Sequence, residues 1–173
     1  MGWIQTYTGK EVDPFYLNKE DICIEDIAHS LALQCRFNGH CLIFYSLAEH
    51  CCRVSDICST VWKAHGLLHD ASEAYLSDIP SPVKQELPEY KAIEKKIEYL
   101  IEFRFGIVPQ VRMDVVKECD QILLATEARD LMCYCETPWV FITQAPLSKR
   151  IVPWGWMRAE EEFLSRAEKF GLK

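Results

Sequence analysis

Apolar residues recur at helical spacing along most of the chain. From Ile24 they mark one face of a helix through Ile27, Ala28, Leu31 and Cys35. The stretch RFNGH at 36–40 then interrupts this stripe. A second stripe follows Ser46, and Glu49 three residues later completes the pattern of a capping box at a helix start. His50 falls on the apolar face of this second helix, so we expect its imidazole to point inward.

Further helices are predicted along the rest of the chain. A third covers VWKAHGLLHDASEAYL (61–76) and ends near Ser77, because Pro80 disfavours helical geometry in the residue before it. Ser81 and Pro82 have the pattern of an N-cap and a first helical position. An amphipathic helix is then predicted over 88–105 with Gly106 as the stop, and further helices are predicted over 111–131 and 156–171.

The N-terminal stretch WIQTYTGKEVDPFYL (3–17) has β-prone residues on both sides of Gly9-Lys10, which predicts a short hairpin. The chain contains no repeat and no low-complexity linker, and 173 residues are enough to bury one sizeable core. The predicted architecture is therefore an all-α, single-domain helical bundle over residues 1–173, with a short N-terminal β-hairpin.

Composition narrows the classes of function. Hydrophobic residues make up 49% of the chain and charged residues 26%, and no apolar run is long enough to span a bilayer. The formal net charge of −7 argues against a general nucleic-acid surface, which needs clustered Lys and Arg. Nine cysteines without the spacing of zinc knuckles indicate free thiols in a reducing cytoplasm. An anionic small-molecule substrate would need a local basic pocket.

The third predicted helix carries adjacent residues that can bind a metal. His69 offers a nitrogen donor and Asp70 a hard oxygen donor to one divalent ion. On a continuous helix, Glu73 would lie near both of them. Because antiparallel helices bring distant positions into one core site, His50 and Asp120 are candidates for the remaining ligands.

Four segments in this order resemble the small HD-domain phosphohydrolases, which include bacterial 5′-deoxynucleotidases, their prophage-borne relatives and phage dATP triphosphohydrolases. The segments are RFNGH, YSLAEH, LLHDASEAYLSDIPSPVK and CDQILLATEARDL, and the similarity covers roughly residues 24–131. An isolated His-Asp pair would mean little, but the ordered series is far harder to meet by chance.

The resemblance implies a role for each matched residue. The metal ligands would be His50, His69, Asp70 and Asp120. Glu73 and Asp78 match the acidic positions that orient or protonate reacting groups, and the sequence does not choose between them. The phosphate contacts would be Arg36, Lys84 and Lys117. Phe37 stands beside the arginine where relatives often carry tryptophan, which leaves base or sugar selection open.

The activity implied is metal-dependent cleavage between the 5′ oxygen and the α-phosphorus of a deoxynucleotide, which is either a monophosphate or a triphosphate. The ion would be zinc, cobalt, manganese or iron, with additional magnesium if the substrate is a triphosphate. The alternatives are an HD-type phosphodiesterase or alarmone hydrolase, and a non-catalytic helical interaction module. The resemblance also implies a cytoplasmic homo-oligomer, dimer or hexamer, of a bacterium or a phage-infected host.

Overall fold

The structure is a computed structural model, and it describes residues 2–107 and 113–173. Its mostly helical chain with a short N-terminal hairpin confirms the predicted fold class. The strands are β1 (Ile4–Gln5) and β2 (Glu11–Val12). The helices are α1 (Ile24–Leu33), α2 (Leu47–Ile57), α3 (Lys63–Leu68), α4 (Glu73–Leu76), α5 (Ser81–Gln85), α6 (Pro88–Arg104), α7 (Met113–Leu131) and α8 (Trp156–Lys169). Single 3-10 turns lie at Phe37–Gly39 and Thr60–Trp62.

The hairpin is fastened to the first helix. Its strands pair antiparallel with Ile4 opposite Val12, and Gly9 in the connecting turn has a φ of 86°, which glycine adopts without a steric penalty. Asp26 on α1 accepts hydrogen bonds from the backbone N–H of Thr8 at 2.7 Å and from its hydroxyl at 2.9 Å. The hairpin therefore packs on the bundle and buries Val12.

Helix α2 lies at the centre of the bundle, where it contacts α1, α3, α7 and α8. Every residue from Leu47 to Cys52 is fully buried. The large core side chains around α2 come from four other helices and include Ile27, Leu31, Leu67, Ile97 and Phe163. Each contributes roughly 1.5–3 kcal/mol by leaving water. The Glu49 carboxylate and the His50 imidazole on α2 are thus surrounded by apolar side chains.

The start of α2 is capped as predicted, but only in part. The Ser46 hydroxyl accepts a hydrogen bond from the Glu49 N–H at 3.1 Å. The Glu49 carboxylate does not complete the predicted capping box, since it accepts hydrogen bonds from Arg53 at 2.6 Å and from the Trp154 N–H at 2.7 Å. A fully buried carboxylate is stabilised better by a cation than by one further amide. Glu49 therefore ties α2 to the segment that precedes α8.

The predicted continuous helix over 61–76 is wrong. A 3-10 turn leads into α3, and a turn over His69–Ser72 separates α3 from α4. In this turn the Glu73 N–H bonds to the Asp70 carbonyl, three residues back, so the chain winds more tightly than an α-helix. The tighter winding changes the spacing expected between His69 and Glu73. Asp70 and Glu73 nevertheless stay close, since burial raises the pKa of Glu73 and the Asp70 carboxylate raises it further. Among the described residues, the groups with metal-ligand geometry do not include Glu73.

Gly66 sets the distance between α2 and α3. A Cβ atom at this position would lie 3.0 Å from Ser55 Cα and 3.0 Å from Cys58 Sγ, tighter than most side-chain contacts, so α2 would have to move away by a few tenths of an ångström. The Gly66 carbonyl also accepts a hydrogen bond from the His69 imidazole. One residue therefore controls both a helix contact and the orientation of a predicted ligand.

Other helix boundaries follow the sequence closely. Helix α5 begins at Ser81 with Pro80 before it, so the predicted N-cap at Ser81 is wrong by one residue. Helix α6 ends as predicted, because Gly106 takes a left-handed conformation with φ of 64°. The predicted start of the next helix at Val111 lies outside the described residues.

Within residues 2–107 and 113–173, none of the helices combines the length and the apolar character that a membrane span requires. All nine cysteines are free thiols, as predicted.

Candidate metal centre

Two imidazoles and two carboxylates meet where α2, α7 and the turn after α3 pack together. The Nε2 atom of His50 lies 3.2 Å from Nε2 of His69 and 3.2 Å from Oδ1 of Asp120. Asp70 Oδ2 lies 3.2 Å from His69 Nε2 and 3.6 Å from His50 Nε2. The structure thus brings the four predicted ligands to one small volume, and their role as ligands stays a prediction.

Hydrogen bonds on the far side of each ring set which nitrogen faces the cluster. His50 Nδ1 lies 2.7 Å from Glu127 Oε1, and His69 Nδ1 lies 2.9 Å from the Gly66 carbonyl oxygen. Since a carboxylate and a carbonyl oxygen only accept, each Nδ1 donates its proton, and each Nε2 is the nitrogen that faces the cluster. In the metal-free protein burial opposes protonation of both imidazoles, but the neighbouring carboxylates outweigh it and raise the pKa of each. A metal ion would therefore take the place of protons that the Nε2 atoms otherwise carry.

The charge state of the carboxylates also suits a cation. Burial opposes ionisation of Asp70, but the neighbouring His69, His50 and Arg36 outweigh it and lower the pKa of Asp70. Burial likewise opposes ionisation of Asp120, and the hydrogen bond from His50 outweighs it and lowers the pKa. Both groups are therefore anionic near neutral pH and offer oxygen ligands without first losing a proton.

This donor set fits a divalent transition metal. Ligand atoms of His50, His69 and Asp120 all lie within 4.8 Å of one another. Two imidazole nitrogens and two carboxylate oxygens are compatible with zinc, cobalt, manganese or iron, so the donors do not select one of them. Cys51 Sγ forms a second such group with His69 and Asp70, but burial raises the pKa of this thiol. The thiol is therefore protonated near neutral pH in the metal-free protein.

Arg36 links the cluster to a buried carboxylate. Its Nη1 atom lies 3.6 Å from Asp70 Oδ2, and its Nε atom lies 3.4 Å from Glu127 Oε2. Glu127 is fully buried, and its pKa is lowered because Arg36 and His50 outweigh the cost of burial. The guanidinium predicted to contact phosphate thus lies against the cluster. Glu127 contacts both Arg36 and His50, one with each of its carboxylate oxygens.

Glu73 and Lys84 form an ion pair beside the cluster, in which Glu73 is buried and Lys84 is partly buried. Lys84 Nζ lies 3.1 Å from Glu73 Oε1 and 2.6 Å from Glu94 Oε1. The second oxygen of Glu73 is buried without a hydrogen-bond partner in the described part of the chain. Burial and the nearby carboxylates of Asp70 and Asp78 raise the pKa of Glu73. Lys84 already neutralises protein carboxylates, so its predicted phosphate contact would have to compete with them.

Asp78 follows a strained residue at the end of α4. Ser77 has a φ of 74°, an uncommon conformation for a residue other than glycine, and the Asp78 N–H donates to the Gln34 side chain at 3.2 Å. Burial raises the pKa of the Asp78 carboxyl group. A carboxyl group with a raised pKa can hold a proton closer to neutral pH than an exposed aspartate can.

A cavity of about 510 Å³ opens beside two of the predicted ligands, His69 and Asp120. Lys117 on α7 lines it, as do Lys95 and Tyr99 on α6. The volume lies within the 300–1,000 Å³ that is usual for small-molecule sites. The predicted phosphate contact Lys117 is thus close to the cluster, whereas Lys84 lies on the side of Glu73.

Sequence reasoning missed Glu127 as a partner of His50 and Glu94 as a partner of Lys84. A signal for Glu127 was present, because it follows Asp120 by seven residues on α7 and so lies on the same helix face two turns later. Glu94 carries no such signal, since its partner Lys84 lies on a different helix.

No family model matches the chain. The uncharacterized protein YfdR of Escherichia coli is 46% identical to it over 131 residues, which cover 76% of this chain and 73% of YfdR. The uncharacterized protein RCAP_rcc00048 of Rhodobacter capsulatus is 30% identical over 147 residues, which cover 78% of this chain and 75% of that protein. Identity of this extent over most of both chains establishes common membership, and the chain therefore belongs to the same protein family as YfdR and RCAP_rcc00048.

Proposed function

We propose that this protein is a metal-dependent phosphohydrolase that cleaves the bond between the 5′ oxygen and the α-phosphorus of deoxynucleotides. The observation that carries the proposal is the pair of imidazole Nε2 atoms 3.2 Å apart, flanked by the Asp70 and Asp120 carboxylates and by the Arg36 guanidinium. The order of motifs that resembles HD-domain phosphohydrolases supports the same activity.

His50, His69, Asp70 and Asp120 would hold the ion. When bound, such an ion supplies a Lewis acid for a phosphoryl oxygen and lowers the pKa of water from 15.7 toward about 7. Arg36 would neutralise charge on the phosphate oxygens, because its guanidinium lies 3.6 Å from Asp70 at the edge of the cluster. The proposed reaction adds water to the α-phosphorus and releases the deoxynucleoside with phosphate or triphosphate.

Asp78 is the proposed general acid. The departing 5′ oxygen needs a proton as its bond to phosphorus breaks, and a carboxyl group with a raised pKa can supply one. Glu73 is the weaker choice, since one of its oxygens is already bonded to Lys84. We therefore assign Glu73 the role of holding Lys84 in place.

The test is metal removal and replacement. Chelator-treated protein, resupplied with manganese, cobalt, zinc or magnesium, should be assayed against deoxy and ribo mono-, di- and triphosphates. Activity on deoxynucleotides that requires added metal is the expected result. Activity only on cyclic or pyrophosphorylated nucleotides would contradict the proposed function and favour an HD-type phosphodiesterase or alarmone hydrolase. Bound metal without any turnover would favour the interaction module.

A pair of variants ties the activity to the cluster. Asp70→Ala should lose both bound metal and activity, because it removes one of four ligands. Asp114→Ala is the matched control, since Asp114 is exposed in the first turn of α7 and contributes only to the end of that helix. Unchanged metal content in Asp70→Ala would exclude the ligand assignment.

A further inference from the structure

Three aromatic rings from two separate loops meet beside Arg36. The ring centres of Phe37 and Trp139 are 5.9 Å apart, and those of Trp139 and Phe141 are 5.5 Å apart with the planes nearly parallel at 27°. Phe37 lies in the turn between α1 and α2, and the other two lie in the loop after α7. We call Phe37, Trp139 and Phe141 the aromatic wall.

Arg36 joins the aromatic wall to the metal-ligand cluster. The carbon at the centre of its guanidinium lies 5.2 Å from the Phe37 ring centre, and its Nη1 atom lies 3.6 Å from Asp70 Oδ2. One residue of the wall, Phe37, and one residue of the cluster, Asp70, therefore both contact the same guanidinium. A nucleotide has the same arrangement, with an anionic phosphate at one end and a flat aromatic base one sugar away.

The backbone that presents Phe37 is strained. Phe37 has a φ of 55° and Asn38 a φ of 51°, and neither is glycine. Conformations of this kind cost roughly 1–3 kcal/mol each and persist where the surrounding structure holds them, often at ligand sites. In this strained turn, the Phe37 ring contacts Trp139 and the adjacent Arg36 guanidinium contacts Asp70.

The wall also retains surface to offer a ligand. Phe141 is 57% exposed and Trp139 is partly exposed, so the rings are not consumed by packing in the core. Aromatic side chains on which bases stack contribute roughly 1–3 kcal/mol per base, and they accept every base because each has a π-face. Purines have a larger face than pyrimidines, so stacking on the wall should contribute more to the binding of purine nucleotides.

We propose that the aromatic wall is the surface on which the nucleobase of the substrate stacks, with Trp139 as its central residue. This inference rests on the proposed function and adds the residues that recognise the base end. It assigns a role to the loop after α7, which lies beyond the four motifs on which the resemblance depends. Recognition by stacking predicts broad base tolerance with a purine preference.

Substrates with and without a base provide the test. Trp139→Ala should lower kcat/KM for dAMP by about 5- to 150-fold, which is the stacking contribution expressed as a rate. The same variant should leave kcat/KM for 2-deoxyribose 5-phosphate unchanged. Trp139→Phe should retain most of the activity on dAMP, because it keeps a ring. Trp156→Ala, at a tryptophan that contacts His29 away from the wall, is the matched control.

An equal loss on both substrates would show that Trp139 only supports the loop, and no loss on either would also overturn the proposal. If Trp139→Ala fails to fold, Phe141→Ala at an exposed ring is assayed in the same way. A binding measurement separates this inference from the proposed function. In metal-free protein, dAMP should quench a part of the tryptophan fluorescence that is missing in Trp139→Phe, whether or not any nucleotide is hydrolysed. Equal quenching in the two proteins would exclude the wall as a base site.

Discussion

His50 Nδ1 lies 2.7 Å from a carboxylate oxygen of Glu127, and neither side chain is exposed to solvent. An imidazole that donates to a buried anion has its proton fixed on Nδ1. The other nitrogen, which faces His69, is thereby kept as a metal donor. Glu127 on α7 thus determines which nitrogen of His50 on α2 is available to a metal ion.

Glu127→Gln is expected to weaken metal binding by about 10- to 100-fold, the usual cost of losing such a partner. The amide can donate to Nδ1, which would move the imidazole proton to the nitrogen that faces the cluster. Competition with a chromophoric chelator measures the affinity. Glu118→Gln, at an exposed position on the same helix, should bind metal like the unmodified protein. An unchanged affinity in Glu127→Gln would mean that the imidazole does not depend on this carboxylate.

Asp78→Asn should separate proton donation from the rest of the chemistry. Without the acid, kcat for dAMP should fall by about 10²- to 10⁴-fold, because the 5′ oxygen leaves unprotonated. Hydrolysis of p-nitrophenyl phosphate should fall far less, since p-nitrophenolate leaves without a proton. Equal losses on the two substrates would mean that Asp78 acts in binding or folding. Glu73→Gln would then be assayed against dAMP and p-nitrophenyl phosphate in the same way.

Lys117→Ala should weaken triphosphate turnover more than monophosphate turnover if contacts beyond the α-phosphate matter. Lys117 lines the cavity beside Asp120, so its ammonium can meet a longer phosphate chain. A charge-assisted contact worth roughly 1.5–3 kcal/mol corresponds to about 10- to 150-fold in kcat/KM for dATP. Lys169→Ala, exposed on α8, is the control. A monophosphate enzyme would show no difference between dATP and dAMP.

Lys84→Ala is assayed separately, because its ammonium is bonded to Glu73 and Glu94. Its removal leaves two carboxylates without their cation, so Tm and metal content must be measured together with turnover. Loss of turnover at unchanged Tm and metal content would support the phosphate contact. If Lys84→Ala and Lys117→Ala both keep full kcat/KM on every nucleotide, neither lysine contacts phosphate.

Asp130 should make stability depend on pH. Its carboxylate accepts a hydrogen bond from the Ile151 N–H at 2.9 Å and pairs with Arg129 at 2.7 Å, and the hydrogen bond from Arg129 lowers its pKa. A carboxyl group with a lowered folded pKa stabilises the protein above its unfolded pKa, and this stabilisation disappears as the pH falls through the folded value. Asp130→Asn should therefore cost about 1–2 kcal/mol at pH 7.

Urea unfolding at several pH values measures this cost. The difference between the variant and the unmodified protein should shrink steadily at acidic pH, as the native carboxylate takes up a proton. Asp13→Asn, in the N-terminal segment, provides the comparison. A difference that stays constant down to the acid limit would show that the charge of Asp130 does not contribute.

The sequence predicted the helices and the cluster because both depend on short-range or ordered patterns. His50 was placed inward by its helix face, and the order of motifs pointed to His69, Asp70 and Asp120. The break in the predicted helix over 61–76 was missed because the turn after α3 winds with hydrogen bonds three residues back, and hydrophobic spacing does not distinguish that turn from a helix. The partners of Lys84 and the approach of Trp139 to Phe37 depend on contacts between distant segments, which a periodic pattern does not encode.

The four predicted ligands come from three separate elements, and His50 and Asp120 are 70 positions apart in the chain. An ion held by them would act as a staple across the bundle, joining α2, the turn after α3, and α7 at one point. Anything that binds the folded form alone adds RT ln(1 + [L]/Kd) to its stability, so the folded fraction would follow the supply of free metal. Metal starvation would then loosen the bundle as well as stop its chemistry, and the amount of protein in a cell would report on metal availability.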